Sequence, residues 1–195
     1  MERWKPAGVF SFEGDWEPDD LTYKASVRPI LAILEQVWGG EFIHRRIGTK
    51  EELGYYVNKW LQKDYDSYTV GYFAFHGARR VIHLGGDSMT LDQLAEMINE
   101  NRNGAAGRVI YLGTCSTLGA DEQEIKQFCK ATRAKAVVGY TKAVYWIESA
   151  AFELLLLETL TQYESMGWAK KKMNREYGEL AERLGMRFVT QNQTR

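Results

Sequence analysis

The sequence predicts an α/β fold, a three-layer α/β/α sandwich on a mainly parallel sheet of six strands. Three observations carry this. Short apolar runs alternate along the chain with segments of helical periodicity, as they do in β–α units. The run "TVGYFAF" at 69–75 is apolar almost without a break, as a strand is when helices cover both faces of its sheet. The chain has 195 residues, 45% of them apolar and 26% charged, which suits one well-buried core and a single domain over residues 1–195.

Each element has its own signal. "GVFSF" at 8–12 reads as a strand that "EGDWEPDD" closes with Gly and Pro. "LTYKASVRPILAILEQVW" carries Val27, Ile30, Leu31, Leu34, Val37 and Trp38 at helical spacing, with Pro29 in an early turn or at a kink, and Gly39-Gly40 stop it. "EFIHRRI" is a more polar strand, suited to a sheet edge. Thr49 and Glu52 form a T-x-x-E capping box for a helix through Leu53, Val57 and Trp60.

After the third strand, "TVGYFAF", comes "RVIHLGGDS", a small strand or hairpin over the sheet edge. Thr90 and Gln93 then repeat the capping device for a helix with Leu91, Leu94, Ala95 and Ile98. "RVIYLGTC" is the fourth core strand, "EQEIKQFCKATRA" a helix and "AVVGYT" the fifth strand. "ESAAFELLLLETLTQY" is apolar nearly all round and so a buried helix; a more polar helix ends at Gly185, and "MRFVT" supplies the sixth strand.

A net charge of -1 and a pI near 6.3 provide no basic field for phosphate backbones, which argues against nucleic acid as a partner. The start, "MERWKPAGVF", has no apolar signal core, and no run approaches the roughly 18 apolar residues of a membrane span. A cytoplasmic protein with no membrane partner is expected. Two cysteines, Cys115 and Cys129, fit a reducing compartment, and with three scattered histidines they argue against a zinc site.

Ligands of such sheets bind beyond the carboxyl ends of the strands. "YFAFHG" ends the third strand at His76-Gly77, and "VIYLGTCST" ends the fourth at Cys115. If these strands are neighbours, both side chains emerge on that edge. A cysteine nucleophile needs a base and a donor pair for the developing oxyanion. His76 serves as the base, and the backbone N–H groups of Gly77 and Cys115 as the oxyanion hole. Thr114, Ser116 and Thr117 order the loop, and no Asp or Asn presents itself as a third member. Cys129, with Ile125 and Phe128 on the apolar stripe of a helix, reads as core, and His44 and His83 as structural or surface residues.

Other chemistries fit the residues less well. "GTCSTLGA" lacks the spacing of a phosphate-binding loop, and Asp121 or Glu122 stands where a cysteine phosphatase needs arginine. There is no G-x-S-x-G elbow and no C-x-x-C.

These strand ends, followed by "VIHLGGDSMTLDQLAEMI" and by "AVVGYTKAVYWIESAAFELLLLETL", resemble the caspase-like cysteine peptidases, in particular the bacterial CHAT-type branch related to separase. The resemblance covers about residues 8–190 in order of elements, and only the two strand-end motifs are specific. It implies a caspase–haemoglobinase fold with no cofactor, a His76–Cys115 dyad and Gly77 in the oxyanion hole. "GTCST" departs from the caspase Q-A-C-x-G pattern, and Gly113 stands where metacaspases and paracaspases carry an acid, so aspartate specificity is not implied.

In this family the first substrate pocket is lined by the end of strand one and the loop after strand five. Here those positions hold Glu13, Asp15, Tyr145, Trp146 and Glu148. Carboxylates there imply cleavage after Arg or Lys. In the alternative reading Glu13 and Asp15 decorate a solvated loop and Glu148 begins a helix. The expected function is a cysteine endopeptidase acting on protein or peptide substrates, with an activating protein partner and a bacterial defence or stress role by family analogy. The other two readings are a catalytically silent caspase-like module that binds a partner protein and a small-molecule-binding α/β domain.

Overall fold

The computed structural model describes residues 5–20 and 22–191. Six strands form one sheet in the order β2-β1-β3-β7-β8-β9: β1 (Val9–Glu13), β2 (Phe42–Arg46), β3 (Val70–Ala74), β7 (Val109–Leu112), β8 (Ala136–Tyr140) and β9 (Met186–Thr190). All neighbours are parallel except β9, which runs antiparallel to β8. The polar strand β2 is an edge, as its charged residues require. Strands β4 (His76–Ala78), β5 (Val81–Leu84) and β6 (Asp87–Thr90) make a separate antiparallel sheet.

Period-two alternation divides the core. Phe10, Phe12, Phe73, Ile110 and Val137 pack against α2 (Lys50–Trp60), α3 (Leu91–Asn99) and α4 (Glu122–Thr132). Val9, Tyr72, Tyr111, Val138 and Tyr140 face the other way, toward α1 (Arg28–Ile33), α5 (Trp146–Gln162) and α6 (Met166–Leu184). Side chains of both sets are almost wholly excluded from water, each worth about 1.5–3 kcal/mol against exposure. The three layers and the six mainly parallel strands are those the sequence predicts.

Two local details differ from expectation. The helical pattern beginning at Leu21, a residue outside those described, becomes regular only at Arg28. Ser26 Oγ and the Val27 N–H donate to the Glu13 carboxylate at 2.7 and 2.8 Å, which holds this segment out of a helix, and Pro29 then sits in the first turn of α1. Residues Leu34–Trp38 continue as a π-helical turn before Gly39, in the left-handed region at φ 79°, ends it. At α2, Thr49 Oγ1 accepts from the Glu52 N–H, but the Glu52 carboxylate accepts from the Gly48 N–H, one residue earlier than in a full box. At α3 the Thr90–Gln93 box is complete.

Candidate active site

Strands β3 and β7 are hydrogen-bonded neighbours in parallel register, Phe73 beside Leu112, so the segments after them leave the sheet at the same edge. His76 opens β4 there and is exposed, while Cys115, half-buried, lies in the turn after β7. Gly77 joins the two. A Cβ on Gly77 would stand 2.3 Å from Thr117 Oγ1 and 2.9 Å from the Cys115 carbonyl oxygen, so only glycine lets these backbones approach so closely.

The cysteine turn is tied on several sides. Thr117 Oγ1 donates toward the carbonyls of Val81 and Cys115 at 3.2 and 3.3 Å, and the Arg80 N–H donates to the Thr117 carbonyl. The Ser116 and Leu118 N–H groups donate to the Lys142 and Tyr140 carbonyls. Ser116 takes a left-handed backbone at φ 58°, and buried Thr114 Oγ1 makes no hydrogen bond among the described residues. Of the three hydroxyl residues expected to order the loop, Thr117 is the one whose side chain does so.

His76 Nε2 lies 2.5 Å from the Trp16 carbonyl oxygen. A carbonyl only accepts, so Nε2 carries hydrogen and Nδ1 is the basic nitrogen of the neutral ring. The Trp16 indole packs edge-on against His76 at 5.2 Å and against Trp146 at 4.7 Å, and its Nε1–H donates to Glu13 at 2.7 Å. Nothing in the sequence marks Trp16 for this role, because the group that holds the imidazole belongs to the backbone.

Cys115 lines a small cavity of about 50 Å³ that opens to solvent. Trp16, Tyr72, Val144, Trp146 and Glu153 are among its other walls. Cys115 Sγ is 4.0 Å from the Val144 carbonyl oxygen. Of the five residues expected around the substrate, Trp146 lines this cavity, whereas Tyr145 is 85% exposed. Glu148 pairs with Arg183, and Asp15 with Arg46 at 2.7 Å.

The Glu13 side chain is fully buried and accepts from Trp16, Ser26 and Val27, with His44 Nε2 at 2.5 Å. Burial raises its pKa, but these four partners, His44 foremost, outweigh burial and hold it below the ordinary value. Glu13 thus anchors the segment after β1.

The carboxylate that does line the cavity is Glu153, on α5. Tyr72 Oη donates to it at 2.5 Å and Tyr140 Oη approaches at 3.5 Å. Burial dominates here and pushes its pKa up to about 7, against the hydrogen bonds of Tyr72, Tyr111 and Tyr140. The apolar composition around it made α5 read as a buried helix; its isolation there was the available signal. Among the described residues no three His, Cys, Asp or Glu side chains converge to hold a metal ion, and no helix is long and apolar enough to cross a membrane.

The chain is similar in structure to caspase-1 from Spodoptera frugiperda, with a TM-score of 0.54 over 98% of this chain and 90% of that one. At 10% identity the likeness establishes the fold, which is caspase-like. No curated protein matches the sequence. A family model matches residues 7–189, and the chain belongs to that family, described as a family of unknown function (DUF6642).

Proposed function

We propose that the protein is a caspase-like cysteine endopeptidase with His76 and Cys115 as its catalytic dyad. One observation carries this reading: two neighbouring parallel strands are followed at the same sheet edge by a histidine and a cysteine, and Gly77 packs closely against the cysteine turn beside a cavity. His76 Nδ1 takes the Cys115 proton, since the Trp16 carbonyl occupies Nε2. The thiolate adds to the substrate carbonyl, and the Gly77 and Cys115 N–H groups hold the oxyanion. His76 returns the proton to the departing amine, leaving a thioester. Water, deprotonated by His76, hydrolyses it and restores the thiol.

Cleavage follows an arginine or lysine, whose side chain enters the cavity beside Cys115. The two strand-end motifs and the order of elements support the caspase-like reading, and by analogy with the CHAT-type branch the protein acts in the cytoplasm in bacterial defence or stress, with a protein partner as activator.

The test is intact-mass analysis after exposure to peptidyl chloromethyl ketones ending in Arg, Lys, Leu or Asp. One adduct is expected, absent from Cys115→Ala and slowed at least about 100-fold in His76→Ala. Labelling that is indifferent to His76, or that spreads to Cys129, removes the proposed dyad.

A further inference from the structure

Glu153 is a buried carboxylate bonded to phenol hydroxyls and, among the described residues, answered by no cation. It stands in the wall of the cavity that Cys115 lines, its side chain almost wholly buried. Three elements of the sheet face it with titratable groups: Tyr72 from β3, Tyr111 from β7 and Tyr140 from β8. Cys115 from the turn after β7 shares the same cavity, and Val27 and Ile30, from the side of α1, bring no charge. Glu13 of β1 bears on Tyr72. Among the described residues no lysine, arginine or histidine pairs with Glu153, whereas Glu13, Asp15 and Glu148 each have a cationic partner.

A buried carboxylate without a cation is costly to keep ionised, and a cavity that gives access to it is the place where a cation would be held most strongly. The surroundings complete such a site. Trp16 and Trp146 form apolar walls suited to a methylene stem, and the phenol groups hold the carboxylate oxygens in place.

We infer that Glu153 is the specificity-determining residue of the substrate cavity and receives the lysine or arginine side chain preceding the scissile bond. This rests on the peptidase reading above and adds the residue that selects the substrate. A neutral side chain of the same length leaves the carboxylate protonated; a cationic one binds it ionised and releases its proton. Selectivity for basic substrates therefore rises with pH through about 7, where Glu153 ionises in the free protein.

The experiment compares alkylation of Cys115 by chloromethyl ketones ending in lysine and in norleucine, which share a stem and differ in charge. In the native chain the lysine reagent should react about 30-fold to 100-fold faster, and Glu153→Gln should bring the ratio close to one. A ratio that survives Glu153→Gln overturns the assignment while the dyad stands. Should Glu153→Gln fail to fold, the pH dependence of the native ratio decides: with one proton separating the two complexes it should climb up to about a hundredfold between pH 6 and 8, and a flat ratio overturns the assignment.

If the native chain reacts with neither reagent, the peptidase reading fails separately. Calorimetry on Cys115→Ala with acetyl-Ala-Ala-Lys-amide and its norleucine counterpart then tests Glu153 alone. Preference for the lysine peptide, lost when Glu153→Gln is added, upholds the site. Equal affinity, or no binding of either, overturns it.

Discussion

Gly77→Ala tests the contact on which the candidate site depends. The added methyl would meet Thr117 Oγ1 at 2.3 Å, the Cys115 carbonyl oxygen at 2.9 Å and Thr114 Cβ at 3.0 Å. None of the three yields easily. Thr117 is fully buried and bonded to two carbonyls, the Cys115 oxygen is backbone, and Thr114 is 1% exposed. The relief available is separation of β4 from the cysteine turn. Overpacking of this kind costs typically about 1–3 kcal/mol, and at about 2 kcal/mol a chain of this length loses roughly 4–8 °C in Tm.

The same displacement shifts His76 relative to the cysteine turn, so under the proposed dyad alkylation of Cys115 should slow by more than the fall in stability explains. Adding Thr117→Ala removes the nearest obstruction and should recover part of the melting temperature. The carbonyl contact remains, so the double variant should not regain the native alkylation rate. If Gly77→Ala melts within about a degree of the native chain and alkylates at the native rate, the two strand ends are not held as described.

Three further outcomes follow from the same packing. Glu13→Gln should destabilise the fold by about 3 kcal/mol, because it leaves His44 and the neighbouring donors buried around a neutral group; urea unfolding at pH 7 measures this. The folded-state pKa of Glu13 lies below the ordinary 4.5, so its contribution is present above pH 4.5 and disappears as pH falls through the folded value; the gap between variant and native chain should close in acid. Cys129, whose thiol burial pushes up to about 11, should resist iodoacetamide at pH 8 while Cys115 reacts, as peptide mapping would show. Thr90→Ala removes the reciprocal cap of α3 and should cost about 1 kcal/mol in chemical denaturation without altering alkylation of Cys115.

Much of the architecture was legible because its signals are local. The unbroken apolar run of β3, the complete cap at Thr90 and the stop at Gly185 each lie within a few residues of what they determine. The extended lead-in to α1 was not legible: the Glu13 carboxylate, distant in sequence, captures Ser26 and the Val27 N–H, and the regular helix begins only at Arg28. His76 and Cys115 could be singled out as strand ends, since strand ends are visible in a sequence. That their strands are neighbours, and that a backbone carbonyl from Trp16 meets the imidazole, depends on strand order and on a loop path that composition does not encode.

The two buried glutamates explain why acidic residues near a site cannot be read as substrate ligands from position alone. Both side chains are almost wholly withdrawn from water, and for both burial is the largest influence on ionisation. They part in their neighbours. Glu13 receives an indole N–H, a hydroxyl, a backbone N–H and an imidazole, with Arg46 at 3.6 Å, so its negative charge is already answered by the protein. Glu153 receives only phenol hydroxyls, which stabilise the charge too little to offset burial, so its pKa rises to about 7. A carboxylate of the first kind has little to gain from an incoming cation and much to lose, since its donors would have to be displaced. One of the second kind gains its missing counter-ion and keeps its phenol bonds. Glu13, at the end of β1, therefore organises the loop that carries Trp16, and the charge discrimination proposed above falls to Glu153, in the middle of an apolar helix.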